Sequence, residues 1–442
     1  RLLHRAGRGR GSKTRRGMTS TQPAGSPDRL SKQARLERGK KMKRNLIFLF
    51  IPAIILVAGA LFATESRMAG LGFPYGYIKD NSEISIYPGA IHRYKTQVIG
   101  ELKSPGSNPD WTLGANLPIK KCVGGIYLNT LTGINVDEML YDSESPNLYS
   151  RGDLDLSKKI QLYLGFWDKW GIGFGMAIDN IKNDLSDTLD IYKKSSAYYF
   201  DLSGGMSTDK CDVGLQVKYA GGSAENELTT YKDFNDEFYR FGVDLAGRYY
   251  LLQNQDFDVM CLGKGYFNIG SKKIDIPNPP NKPIEKTTDD NNFMIEVGAG
   301  VNYKLNDTNT IIFGFKPIRF ASESIEVSKE GTNGSHKMSH SFIYVPEYNL
   351  AVESQITRWL TGRVGARQNY VFYSEKDEPS GDGEFEDSEY QSEFVMNLGL
   401  GFNFGKFSID AVLEHDFLHH GPEFIGGKTN GLASMISLTY QY

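Results

Sequence analysis

The stretch FMIEVGAGVNY, residues 293–303, decides the fold. Phe293, Ile295, Val297, Ala299, Val301 and Tyr303 fall on one side of a period of two, and Met294, Glu296, Gly298, Gly300 and Asn302 on the other. That period belongs to a strand with two unlike faces; a helix would space its apolar residues three and four apart. The pattern recurs outward from this stretch in both directions. Phe394, Met396, Leu398, Leu400, Phe402 and Phe404 repeat it, as do Ile160, Leu162, Leu164 and Phe166. Ile172, Phe174, Met176 and Ile178 alternate with Gly173, Gly175 and Ala177. A soluble sandwich also alternates, so periodicity alone does not choose. Segment length does: about 10 residues suits a tilted strand that crosses a membrane. Aromatic residues sit at the segment ends (Phe166, Trp167, Trp170; Tyr249, Tyr250; Tyr370, Phe372, Tyr373; Tyr440, Tyr442), as in the interfacial girdles of a transmembrane barrel. The second face, rich in Gly, Asn and charge, fills an apolar core badly and suits a wet lumen.

Composition agrees. The 442 residues include 48 Gly, 25 Phe, 25 Tyr and 4 Trp. So many aromatics exclude a disordered chain, and so much glycine excludes a helical bundle. Residues 1–45 carry 15 Lys and Arg against 2 Asp and Glu, whereas the remaining residues carry 35 against 51. An acidic body repels phosphates, so no nucleic-acid partner is expected. From Met42, MKRNLIFLFIPAIILVAGALFA has the basic start, apolar run and small residues of a cleaved signal peptide over 42–63. Residues 1–41 then form an upstream, Arg- and Gly-rich leader that is not expected to belong to the fold. Cys122, Cys211 and Cys261 are too few and too far apart for a disulfide framework or a zinc site.

The connections alternate. Short turns fall near 168–170, 207–210, 253–256, 306–308, 355–359 and 405–406. Long polar loops fall near 131–157, 181–194, 221–236, 270–292, 321–340, 374–390 and 417–431. Weaker strand segments, Lys95–Lys103 and Asp110–Pro118, precede the firm one at Cys122–Leu131. The expectation is an all-β, transmembrane, antiparallel up-and-down β-barrel over residues 95–442. It has 14–16 strands, with 16 preferred, short periplasmic turns and long extracellular loops.

At this point the sequence resembles the bacterial outer-membrane β-barrel (porin-like) proteins. The closing SMISLTYQY is similar to their C-terminal insertion signal: Tyr442, Tyr440, Leu438 and Ile436 match its terminal aromatic and alternate apolar positions. The resemblance implies a bacterial outer-membrane location, outer-membrane lipids as surroundings, and recognition by the barrel-assembly machinery during biogenesis. A second segment, GYIKDNSEISIYPGAI (76–91), is similar to an N-terminal motif of FadL-type fatty-acid channels, with Tyr87-Pro88-Gly89-Ala90 where the motif has Tyr-Asn-Pro-Ala. Those channels carry an N-terminal hatch inside the barrel; residues 64–94 are long enough for one, and equally for a periplasmic tail.

Reading the alternation places Arg240, Asp244, Arg248, Lys264, Glu296, Lys316, Glu347, Glu353, Arg363, Arg367, Asp410 and Glu414 on the inner face, with Asp258 beside Lys264. A charge facing lipid at the midplane would cost about 2–4 kcal/mol, so inward is the cheaper side. Such a ring of both signs is expected to line a pore and bias ion selectivity; alternatively the residues pair across the wall, Glu347 or Glu353 with Arg363 or Arg367. The Glu414–His420 run has metal-ligand residue types but no helical spacing and opens a loop, so no metal is expected. No cofactor is expected. Neither G-x-S-x-G, H-E-x-x-H nor a P-loop occurs, and an enzyme is not expected. The expected function is a porin-like passive channel for small polar solutes or ions. The alternatives are a FadL-type hydrophobic-substrate channel and a structural or adhesive barrel that presents its loops.

Overall fold

A computed structural model describes residues 65–72, 76–103, 110–132, 155–184, 191–228, 234–276, 284–330, 336–378, 385–413 and 433–442. The segments 1–41 and 42–63, and the run from Glu414 to His420, lie outside the described residues. The sheet is a closed antiparallel barrel of 16 strands, each paired to its sequence neighbour. They are β1 (Gln97–Lys103), β2 (Trp111–Ile119), β3 (Cys122–Leu131), β4 (Lys158–Phe166), β5 (Trp170–Asp184), β6 (Ile191–Ser207), β7 (Cys211–Leu228) and β8 (Phe234–Gln253). Then follow β9 (Phe257–Ile276), β10 (Ile284–Asn306), β11 (Asn309–Lys329), β12 (His336–Gln355), β13 (Leu360–Glu378), β14 (Phe385–Phe404), β15 (Phe407–Leu413) and β16 (Ala433–Gln441). β16 closes on β1, with Tyr440 opposite Val98 and Ile436 opposite Leu102. Tight turns gather at one end. Asp168 (φ 57) and Gly405 (φ 71) supply the left-handed backbone that two- and three-residue turns need.

The faces follow the register expected from sequence. Leu202, Leu245 and Ile295 point outward and are 61%, 56% and 58% exposed, as residues that face lipid must be in an isolated chain. On β10 the outward apolar run extends from Phe293 to Tyr303, 11 residues. At about 3.3 Å per residue and a tilt of about 40° it is about 25 Å tall, the height of a bilayer's apolar band.

Strand length differs from expectation. β6–β14 have 17–23 residues each rather than about 10. Much of what reads as long loop at 181–194, 221–236, 270–292, 321–340 and 374–390 is strand. The cause is that ladder hydrogen bonds continue into water, where the outward residues (Thr287, Asp289 and Asn291 on β10) turn polar. The change in hydropathy marks the edge of the membrane, not the end of the strand.

Residues 65–72 and 76–94 lie inside the barrel, against the inner faces of strands on all sides. α1 (Glu65–Gly70) packs on β13–β16. Two 3-10 turns follow, Asn81–Ser85 and Pro88–Tyr94, and the second packs on β3–β7. The Asp80 side chain caps the first by accepting from the Ser82 amide at 3.1 Å; Pro88 opens the second. Two apolar clusters seat the plug. Met68, Leu71, Tyr77 and Ile78 pack with Tyr250, Met260, Leu262 and Ile312. Ile84, Tyr87, Ala90 and Ile91 pack with Val123 and Ala246.

Candidate functional site: a plugged lumen

The wall admits the plug where it has no side chains. A Cβ on Gly171 would collide with the Pro88 carbonyl, one on Gly214 with the Ile86 carbonyl, and one on Gly365 with the Leu71 backbone. On Gly300 and Gly314 it would enter the Tyr77 ring. These glycines, read from sequence as a wet inner face, allow backbone to approach backbone.

Two ionic clamps fix the plug. In the first, the Arg248 guanidinium, fully buried, donates to Asp212 (2.9 and 2.5 Å), to Glu83 of the plug (2.6 Å), and to the plug carbonyls of Gly76 and Ile78 (3.3 and 3.1 Å). Arg93 of the plug closes the square, donating to Glu83 at 2.8 Å and Asp212 at 2.5 Å. In the second, Arg67 of α1 grips Glu353 with two 2.8 Å bonds and reaches Asp80 at 3.2 Å. Arg363 bridges Glu353 (2.7 Å) and Asp410 (2.5 Å) beneath it. The Ser66 amide donates to Glu101 at 2.9 Å. Lys79 of the plug stands over the Tyr250 ring at 4.4 Å, and burial pushes its ammonium below the usual lysine range. Burial also pushes the Tyr87 hydroxyl up to about 12.

The other residues expected to line a pore also face inward, mostly in pairs. Arg240 holds Asp290 at 2.6 Å, and Asp244 holds Lys218 at 2.6 Å. Lys316 lies between Glu296 (3.4 Å) and Glu347 (3.1 Å). Arg367 reaches Glu393 at 3.6 Å, and Asp258 reaches Lys304 at 2.9 Å. Glu353 and Arg363 pair across one hairpin, as the sequence allowed. Lys264 sits opposite Glu296 in register, with Arg319 on the far side of the same glutamate and over the Tyr344 ring at 4.6 Å. Glu414 lies outside the described residues. Of the residues matching the insertion signal, Tyr440 stacks on Phe407 at 4.6 Å and the Tyr442 hydroxyl donates to the Asn116 carbonyl at 2.9 Å. Ile436 and Leu438 share the outward face with Tyr440, opposite Ala411 and Ile409 of β15.

Sequence reasoning missed Arg67, Glu83, Arg93 and Asp212. The first three sit in a segment with no period, and Asp212 borders a turn.

Two cavities flank the plug. One of about 380 Å³, toward the loop end, has an apolar wall of Met68, Ile78, Ile84, Ile99, Tyr127 and Tyr163; Lys103, Lys159 and Lys218, each paired to a carboxylate, also line it. The other, about 420 Å³ toward the tight turns, is polar, lined by Arg67, Lys79, Glu353, Arg363 and Asp410. Asp80 and Asn81 line both, so this short piece of plug is the partition between them.

Residues 165–335 match the model of the outer membrane protein beta-barrel domain, which implies an outer-membrane location. No curated protein matches the chain. Among solved structures, the chain is similar to the Ralstonia pickettii toluene transporter TbuX, at 9% identity and a TM-score of 0.36, over 87% of this chain and 99% of that one. The CymD monoaromatic hydrocarbon channel gives 10% identity and 0.37, over 85% and 96%. A Pseudomonas aeruginosa FadL homologue gives 10% identity and 0.33, over 86% and 98%.

Proposed function

We propose that this chain is an outer-membrane channel for apolar or amphipathic molecules, closed at rest by residues 65–94, and not an enzyme. The observation that carries the proposal is the plug with the 380 Å³ cavity on its loop side. That volume lies within the range of about 300–1,000 Å³ typical of small-molecule sites. Its apolar wall takes the body of a ligand, and the polar side chains that share the lining, Asn81, Ser85 and Gln161 among them, can take a polar end.

An open channel for small polar solutes, the first expectation from sequence, is the less favoured alternative. It needs a continuous wet path, and the inner charges that would line one are largely engaged in ion pairs or in holding the plug.

The test compares two readouts on the purified barrel. Wild type is expected to enhance the fluorescence of N-phenyl-1-naphthylamine saturably. It is also expected to leave planar bilayers without persistent open steps and liposomes unswollen by arabinose. Open steps and arabinose-driven swelling, with no saturable binding of the dye, would overturn the proposal and restore the porin.

A further inference from the structure

The outer surface carries a recess that the channel reading does not use. It lies on β6–β9, where three successive rows of outward residues run across the sheet. The lowest, Phe200–Tyr219–Phe241–Ile269, is the top of the lipid-facing belt. The next is Tyr198–Gly221–Tyr239–Ser271, and the highest is Ser196–Ser223–Glu237–Lys273. Within two rows the surface therefore passes from hydrocarbon to water.

The middle row makes the recess. Glycine at 221 leaves no side chain between Tyr198 and Tyr239, which lie two strands apart, about 10 Å by strand spacing. Tyr198 lies over this glycine, its hydroxyl 2.8 Å from where a Cβ would stand. Tyr219 sits 6.0 Å from Tyr198, tilted by 31°. The result is a groove of about 360 Å³ with an aromatic floor and a rim of three serines, Glu237 and Lys273. Tyr198, Tyr219 and Tyr239 keep 37%, 40% and 49% of their surface exposed.

We propose that this groove binds an uncharged pyranose ring carried by a glycolipid of the outer leaflet. An aromatic face packs on the C–H face of a sugar while hydroxyls and a carboxylate take its O–H groups. Height argues for a membrane-borne sugar: the groove opens one row above the belt, where the first sugar of a lipid-anchored glycan is presented. Charge argues against a phosphate. Lys273 is paired with Glu285 at 3.2 Å, and Lys194, higher on β6, with Glu225 at 3.7 Å, so the rim has no net positive charge to offer.

The experiment measures binding to the purified, detergent-solubilised barrel of two lipid probes: a neutral monohexosyl diacylglycerol and the same diacylglycerol without the sugar. The hexose-bearing probe is expected to bind at least about tenfold more tightly. Tyr198→Ala should bring it down to the level of the sugar-free lipid. Gly221→Val should do the same, because its side chain displaces Tyr198 and leaves the rim intact. Lys273→Gln should change the difference less than twofold. Heat-modifiable migration of each variant establishes that the barrel has formed. Equal binding of the two probes would overturn the proposal, as would loss on Lys273→Gln with Tyr198→Ala unaffected. Equally tight binding of the free methyl hexoside would overturn the membrane source.

Discussion

Replacing Arg248 by alanine tests whether the plug is held as described. The side chain is fully buried and makes five hydrogen bonds, three of them to residues 76, 78 and 83 of the plug. Its removal leaves Asp212 facing Glu83 with only Arg93 between them. Removing one partner of a buried ionic cluster costs about 3–5 kcal/mol, because the remaining charges stay desolvated. Plug docking bears that loss, since Arg248 and Asp212 lie on neighbouring strands joined by a long ladder. At about 1.4 kcal/mol per tenfold, the undocked population should rise by roughly two to three and a half powers of ten. Hydrogen–deuterium exchange over 76–94 reads this directly, and single-channel recording reads its consequence as open steps. Replacing the whole cluster with neutral groups (Glu83→Gln, Arg93→Gln, Asp212→Asn, Arg248→Met) should restore most of the protection, since matched removal of buried charges is close to neutral. If R248A folds into a heat-modifiable barrel, stays closed, and shows unchanged exchange over 76–94, the clamp does not hold the plug.

Three further outcomes follow from the same geometry. Gly365→Leu drives a side chain into the Leu71 backbone, which has no rotamer to yield with; exchange over 65–72 should rise while the barrel's heat-modifiability is kept, with a cost of about 1–3 kcal/mol or more. Arg67→Gln leaves Glu353 its bond to Arg363 and so should cost less than R248A, about 1–2 kcal/mol. Its signature should be faster exchange at 79–83, beside the partition, with 88–94 unchanged. Tyr442→Ala removes the terminal aromatic and its bond to Asn116; the fraction of chain assembled into the outer membrane should fall several-fold, measured by heat-modifiable migration, with the thermal stability of the assembled barrel little changed.

The faces of the strands were legible because period two needs no tertiary information: Glu296, Lys316, Glu353 and Arg363 face inward as the alternation required. The short turns were legible from Asp168, Asn306 and Gly405 for the same local reason. Strand ends were not, since a strand in water and a polar loop draw on the same residues. The plug was legible only as a length of chain. Its turns are too short for a period, and its apolar residues (Met68, Leu71, Ile84, Ile91) are spaced to meet different strands. The glycines of the inner face were the available signal. Gly171, Gly214, Gly300, Gly314 and Gly365 all lie in the half of their strand nearest a tight turn, at the level the plug occupies.

The inner charges could not have announced the plug by themselves. Taken alone, the wall already pairs each of its arginines: Arg248 with Asp212 on the adjacent strand, and Arg363 with Glu353 and Asp410, which leaves one carboxylate in excess. A wet pore would be content with those pairs. The plug adds Arg93 and Glu83 to the first, one of each sign, and Arg67 and Asp80 to the second, again one of each sign. Each addition is neutral, so neither the net charge of the wall nor that of segment 64–94 reveals that the two meet. What differs between the two situations is solvation. In a wet lumen Arg248 would face water; beneath the plug it has none and must find its acceptors in Asp212, Glu83 and two carbonyls. At the first clamp wall and plug balance independently, so a plug that left would leave Arg248 paired with Asp212. At the second it would leave Arg363 between two carboxylates, Glu353 and Asp410, in a lumen then open to water. A closure that can be undone without unfolding its frame is what a gated channel requires, and the matched neutral substitution of Glu83, Arg93, Asp212 and Arg248 separates it from a core that merely happens to be polar.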